Sequence, residues 1–438
     1  MPEPSAEIAY LFRHALLRDA AYDLQPPATR AHLHGLAVQL LEQFHGGRAP
    51  MPDLTPPAAH SFTPHRTDGI ASELAAHARL AVQAGGDPDL DEPLRVYHCR
   101  AAQVAEQAYG HAEALSAWQR AAALFPDSRR GECLRRAANS ALRLMRPEQA
   151  EQLHVAALDL AVECDDVGLE AAVRGSRTVL LYQLARLEEC DREGALALEL
   201  LQRAGDRRGE AAVLSALGSR YVARSDFERG EAFNIRAREI ARETGFGKLD
   251  AAVTVNLGNL RSFQHRWQEA EELDREGLAL ARALNTRDIE AQALMNLAEV
   301  FQNTGRLEQA ESHLRAAVEL ARETGQPMVL AYGLSELGRL LMSLGLAPEA
   351  EPLLRDAIAV GLETSGNVVF AADQCRLALC LLSQGRRDEA AALWGESIGV
   401  IRARGRAASL QRMQDEMREH CRRFGLLPLQ AEEPPTPP

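Results

Sequence analysis

Lysine is nearly missing from this 438-residue chain: Lys248 is the only one, so arginine supplies 48 of the 49 basic side chains. That excludes a phosphate-binding P-loop, which needs Gly-x-x-x-x-Gly-Lys-Ser/Thr. Around Gly247-Lys248 the first glycine position holds Arg242, and Leu249 follows the lysine. Aromatic residues make up only 5% of the chain while alanine and leucine abound, which suits close helix packing rather than sheet. The 62 acidic side chains leave a formal charge of −13, which argues against a general nucleic-acid surface, since phosphate contacts need a clustered basic footprint. No apolar run reaches the roughly eighteen residues of a membrane span, and no basic stretch followed by an apolar one opens the chain. A soluble cytoplasmic protein with neither membrane nor nucleic acid as partner is expected. The seven cysteines contain no C-x-x-C pair and read as structural thiols of a reducing compartment. No metal or other cofactor is expected.

What the chain does have is a repeat. Leu257-Gly258 returns forty residues later as Leu297-Ala298, Ala270-Glu271 as Ala310-Glu311, Gly277 as Ala317, and Leu280-Ala281 as Leu320-Ala321. Steps of forty from Ala157 meet Ala197, Ala237, Gly277, Ala317, Ala357 and Ser397, all small; from Leu160 they meet Leu200, Ile240, Leu280, Leu320, Val360 and Val400, all aliphatic. Two more small-residue columns run from Ala150 to Ala390 and from Ala138 through Gly218, Gly258, Ala298 and Gly338 to Ala378. An eighth, shorter copy lies upstream, where Ala101, Ala114, Ala121 and Leu124 match Ala137, Ala150, Ala157 and Leu160 at an offset of thirty-six. A fixed period of this length marks stacked units that cannot bury their apolar faces alone.

The spacing inside a unit says what the unit is. Leu214, Leu217, Gly218, Tyr221 and Val222 fall on one helical stripe, and after Ser225-Asp226 a second stripe runs through Phe227, Gly230, Phe233, Ala237 and Ile240. Each repeat is therefore predicted to be a helical hairpin, with small residues where the two helices approach closely. Gly305, Gly345 and Gly385 punctuate the middle of their hairpins, and Gly245 and Gly325 close second helices. Acidic residues such as Glu269, Glu308 and Glu349 sit early in the second helix, where the helix dipole favours them.

The pattern Leu217-Gly218-x-x-Tyr221, then Gly230, then Ala237, resembles the tetratricopeptide repeat, lengthened by about six residues per unit over the usual thirty-four. The resemblance covers roughly residues 100–405. It implies an all-α, right-handed α-solenoid of about eight hairpins: a leading helix and first hairpin over 70–128, then seven forty-residue repeats over 129–405. Leu410, Met413, Met417, Cys421 and Phe424 form one apolar stripe, which predicts a capping helix within 406–429, followed by a disordered tail over 430–438.

The start of the chain is a different kind of sequence. Tyr10-Leu11-Phe12-Arg13-His14-Ala15-Leu16-Leu17-Arg18-Asp19-Ala20-Ala21-Tyr22 followed by Arg30-Ala31-His32-Leu33-His34 reads as a short strand and two helices separated by Pro26-Pro27. It resembles the segment that, in bacterial STAND NTPase regulators, closes a winged-helix domain and leads into tetratricopeptide repeats. Those regulators include adenylate cyclases, kinase-linked proteins and transcriptional activators. Residues 1–45 are therefore expected to be a truncated winged-helix remnant, and the chain to be the C-terminal arm of such a system. Arg13, Arg18 and Arg30 either contact DNA or simply face water, and the second reading is preferred. Residues 46–69 are rich in Pro, Gly and His and read as a linker that cannot hold a helix; His60 and His65 within it lack the spacing of a metal site.

In tetratricopeptide arrays the first helix of each hairpin lines a concave groove, which makes its non-packing positions the candidates for function. One column reads Ser219, Asn259, Glu299, Arg339 and Leu379, and another Ala216, Asn256, Asn296, Glu336 and Arg376; beside them lie Gln292, Gln302 and Asn303. Asparagine is a poor interior helix residue because its side chain competes for backbone groups, so its recurrence at one phase needs a reason. One reading is that Asn256, Asn259, Asn296 and Asn303 grip the backbone of a partner peptide while Arg339 and Arg376 meet its acidic groups. The other is that these residues bond to neighbouring helices or to water. Glu299 and Glu336 also invite an enzyme reading as a carboxylate pair, but no nucleophile, histidine base or metal cluster accompanies them. The expected function is a non-catalytic protein–protein interaction scaffold, the sensory or regulatory arm of a STAND-type system. Its partner would be a protein or peptide, including an NTPase, cyclase or kinase module. The alternative is a sensor of a signalling peptide or small effector.

Overall fold

The computed structural model of the chain describes residues 22–55, 62–83, 88–365, 371–403 and 407–429. Nineteen α-helices are delimited among them, with two single 3-10 turns and no strand. Two helices lead, α1 (Pro27–Phe44) and α2 (Ala71–Gln83). Eight hairpins follow: α3 (Asp91–Gln107) with α4 (His111–Ala122), α5 (Ser128–Arg143) with α6 (Pro147–Glu163), α7 (Val167–Gln183) with α8 (Leu187–Ala204), and α9 (Arg207–Ala223) with α10 (Phe227–Glu243). The last four are α11 (Gly247–Phe263) with α12 (Trp267–Ala283), α13 (Arg287–Asn303) with α14 (Leu307–Glu323), α15 (Pro327–Ser343) with α16 (Ala347–Ser365), and α17 (Ala371–Ser383) with α18 (Arg387–Ala403). A final helix, α19 (Ala407–Phe424), packs on the last hairpin through Met413, Met417 and Cys421. The architecture is an all-α helix-pair solenoid.

Two compact units divide the chain: Met1–Leu180 with Ala195–Asp206, and Leu181–Gly194 with Arg207–Pro438. In the second unit each first helix packs on its own second helix and on the next hairpin. Neighbouring first helices such as α11 and α13 also touch each other more closely than neighbouring second helices do, so the first-helix face is the inside of the curve.

The small-residue column exists because of what presses on it. A Cβ added at Gly218 would stand 2.6 Å from the Asn234 side chain, at Gly258 2.4 Å from the Asp274 carboxylate, and at Gly338 2.8 Å from Leu354. The facing column of second helices thus reads Asn234, Asp274, Leu314, Leu354 and Trp394, all buried, with His154 at the equivalent place in the first unit.

The turn inside each hairpin also repeats at one position. Met145, Ala185, Ser225, His265, Gly305, Gly345 and Gly385 all have φ between 55° and 79°, and the following amide reaches back over the helix end, Arg186 to Leu181 O at 3.0 Å and Arg306 to Phe301 O at 2.8 Å. Only glycine adopts this conformation without a Cβ penalty. Ala185→Gly should therefore raise stability by about 0.5–1 kcal/mol net of the added unfolded-state freedom, and Gly305→Ala should lower it by a similar amount. Urea melts of the two variants check the opposite signs.

The Pro- and Gly-rich stretch holds no α-helix among its described residues, only the start of the 3-10 turn Asp68–Ile70, yet it does not hang free. Ala49, Leu54 and Thr67 are buried, and Arg100 of α3, itself buried, grips Asp68 at 2.6 and 2.9 Å and the Thr63 carbonyl at 2.9 Å. Tyr97 donates to Glu42 of α1 at 2.9 Å. These bonds and a shared core of Val38, Leu74, Ala78, Leu94 and Tyr97 join α1, α2 and α3. Arg30 is paired with Asp23 at 3.5 Å and lies over the Tyr22 ring. The expected strand, Arg13, Arg18, His60 and the tail 430–438 fall outside the described residues. All seven cysteines are free thiols and only Cys164 is exposed; burial pushes Cys375 up to about 12, as an unreactive packing thiol requires.

Candidate binding groove

The inner face of the second unit is built from one stripe per first helix. On α11 the stripe runs Ala252, Asn256, Asn259, Phe263; on α13, Gln292, Asn296, Glu299, Asn303; on α15, Tyr332, Glu336, Arg339, Ser343. These positions follow the i, i+4, i+7 rule that also directs the opposite stripe, Leu257 or Leu297, into the core.

The structure sorts the sequence candidates into engaged and unengaged side chains. Asn296 is buried and donates to Asp274 Oδ1 at 3.1 Å and to Val255 O at 3.3 Å, so it takes the reading in which asparagine ties neighbouring helices together. Asn303 is exposed and donates at 2.9 Å to Glu299 O, one turn back on its own helix. Asn256 reaches Ser215 Oγ at 3.3 Å. Arg339 donates to Glu336 Oε2 at 2.5 Å and to Gln302 Oε1 at 2.8 Å. Arg376 donates to Asp373 Oδ1 and Ser335 Oγ, both at 3.0 Å, and to Glu416 of α19 at 3.3 Å.

Three candidates remain without a hydrogen-bond partner for their side chains among the described residues: Asn259, Gln292 and the carboxylate of Glu299. The Glu299 carboxyl is pushed up by its burial, then by the neighbouring Glu336, against the opposing pull of Arg339. It is an acceptor held in a crowded, poorly hydrated place with no donor supplied.

Tyr332 was missed by the sequence reading. It stands forty residues after Gln292, in an inner-face column that begins at Ala212 and Ala252, and that spacing was the available signal. Its side chain is 54% exposed, yet its phenol is pushed up by the protein packed around it and then by Glu336 and Glu299. Exposure combined with desolvation is what a concave wall produces. Phe263, 53% exposed at the end of the α11 stripe and stacked on Phe227, was likewise unforeseen.

As for chemistry, Glu336 is tied to Arg339, and no group of three or more His, Cys, Asp or Glu is placed to share a metal ion among the described residues. No helix among them is long and apolar enough to cross a membrane. The face offers two exposed aromatic rings, amide groups and one unpaired carboxylate.

Residues 249–323 and residues 330–368 each match the tetratricopeptide repeat family. Over these residues the hairpins are similar to tetratricopeptide repeats. The chain is structurally similar to a Signal Transduction ATPase with Numerous Domains (STAND) protein with a tetratricopeptide repeat sensor from Pyrococcus horikoshii, with a TM-score of 0.52 and 11% identity over 91% of this chain and 67% of that one. A Rap protein complexed with Competence and Sporulation Factor aligns with a TM-score of 0.50 and 15% identity over 74% of this chain and 98% of that one. At these identities the likeness is one of fold. No curated protein matches the chain in sequence.

Proposed function

We propose that the inner face of the second unit binds an extended or helical peptide segment of a partner protein, and that the repeat array serves as the regulatory arm of a STAND-type signalling system in the cytoplasm. The observation that carries the reading is the set of side chains left without partners on α11, α13 and α15. Asn259 and Gln292 offer amides to a peptide backbone, Tyr332 offers a ring and a hydroxyl, and Glu299 accepts from a donor that the protein does not provide. Elsewhere on the same face Asn256, Asn296, Asn303, Glu336 and Arg339 each hold at least one partner. The fold shared with a STAND tetratricopeptide sensor supports the regulatory role, and the Rap protein of similar fold is one that takes a factor. In this reading the bound segment alters the curvature of a one-dimensional array, which passes the change to an NTPase, cyclase or kinase module.

A displayed random peptide library selected on the full chain tests the proposal. Enriched peptides should bind Asn259→Ala and Tyr332→Ala about three- to tenfold more weakly than wild type, the loss of one hydrogen bond or one aromatic contact. They should bind Arg322→Ala, changed on the second-helix face, with unaltered affinity. Peptides that bind both inner-face variants like wild type would sink the reading.

A further inference from the structure

The contact between α1 and α2 carries a second kind of chemistry. His34 and His77 point the same ring nitrogen at one another, Nδ1 to Nδ1 at 2.7 Å, with ring centroids 4.9 Å apart. One proton fits between two such nitrogens. Of the far nitrogens, His34 Nε2 lies 2.9 Å from Tyr22 Oη, and His77 Nε2 stands 3.8 Å from Glu73 Oε1, an ion-pair distance. Once the shared proton leaves, both Nδ1 lone pairs face the same gap, and the groups beside the far nitrogens limit how the rings turn.

We propose that His34 and His77 chelate a divalent late transition-metal ion, Cu2+ or Ni2+ in preference to Zn2+, which replaces the shared proton and clamps α1 onto α2. With metal–nitrogen bonds of about 2.0–2.1 Å, two cis ligands of a tetragonal ion stand about 2.8–3.0 Å apart, while two ligands of a tetrahedral ion stand about 3.3 Å apart. The observed 2.7 Å is close to the first value and about 0.6 Å short of the second. Water completes the coordination, and the displaced proton leaves to solvent, so affinity rises with pH. Arg30, on the same helix as His34, is turned towards Asp23 and the Tyr22 ring. The site lies in the first unit and is independent of the groove.

Calorimetric titration of Cu2+ into the untagged full chain tests the proposal, with electron paramagnetic resonance of the one-to-one complex reading the ligand nitrogens. The expected result is one site with two imidazole nitrogens. His34→Gln and His77→Gln should each weaken it at least tenfold, Glu73→Gln should weaken it several-fold, and the ion should raise the melting temperature of wild type. Affinity unchanged in both single variants, or a two-nitrogen signal that persists in the double variant His34→Gln/His77→Gln, would show an adventitious ion on other histidines and overturn the proposal.

Discussion

Glu132→Ala is expected to lower the stability of the first unit by about 3–5 kcal/mol, because it strands two buried guanidinium groups. Glu132 on α5 is fully buried and receives Arg135 Nε and Nη2 at 2.6 and 2.7 Å and Arg136 Nε at 2.7 Å. Arg135 also donates to Ser176 Oγ at 2.9 Å, and Arg136 lies over the Trp118 ring. Burial alone would raise the Glu132 carboxyl, but the two arginines outweigh it and hold it down to about 2. The sign follows: a carboxylate whose folded value lies below its unfolded value contributes stability that is complete above about pH 4.5 and is lost as pH falls towards 2. Replacing Glu132, Arg135 and Arg136 together by apolar residues of similar volume should restore most of the loss, since the desolvation of all three charges disappears with them. Urea denaturation of the single and triple variants separates these outcomes. A single variant within 1 kcal/mol of wild type (roughly a fivefold change in the folding constant) would show that water reaches this cluster.

The second large effect has the opposite sign. His154 on α6 is fully buried, neither ring nitrogen has a hydrogen-bond partner among the described residues, and burial followed by the Arg135 and Arg177 charges lowers its value from 6.5 to about 3. At the equivalent position later hairpins carry Leu314, Leu354 and Trp394. His154→Leu should therefore stabilise by about 1–3 kcal/mol at pH 7, by removing an unsatisfied buried donor and acceptor. Below pH 6.5 the unfolded chain takes up a proton at this residue and the folded chain does not, so wild type loses stability as pH falls from 6.5 towards 3. At pH 5 that adds about 2 kcal/mol to the advantage of the leucine variant. Melts of both proteins between pH 7 and pH 5 should diverge; curves that stay parallel would contradict the buried, unpartnered imidazole.

The solenoid was legible because its signal is redundant. Seven copies of one forty-residue ruler mark the helical hairpins and their close contacts, and the columns at Ala138 and Ala157 fall on buried positions. The inner face was legible as a face but not as a site. Asn256 and Asn296 share one phase, yet Asn296 is drawn into the interior because Asp274, on a different helix, stands opposite it, and no periodicity reports that. Asn303 satisfies itself on the carbonyl four residues back. Met145, Ala185, Ser225 and His265 conceal a left-handed turn that Gly305, Gly345 and Gly385 announce. The fixed course of residues 46–55 and 62–69 was invisible for a related reason: its polar partners come from Arg100, far along the chain.

The central claim is that a peptide lies along the first helices of the second unit. A photoreactive benzoylphenylalanine placed at position 292, on the α13 inner stripe, or at position 319, exposed on the second-helix face of α14, tests it most directly with any peptide obtained by selection. Cross-linking from 292 and not from 319 is the predicted result. Cross-linking from 319 alone, or equally from both, would contradict it.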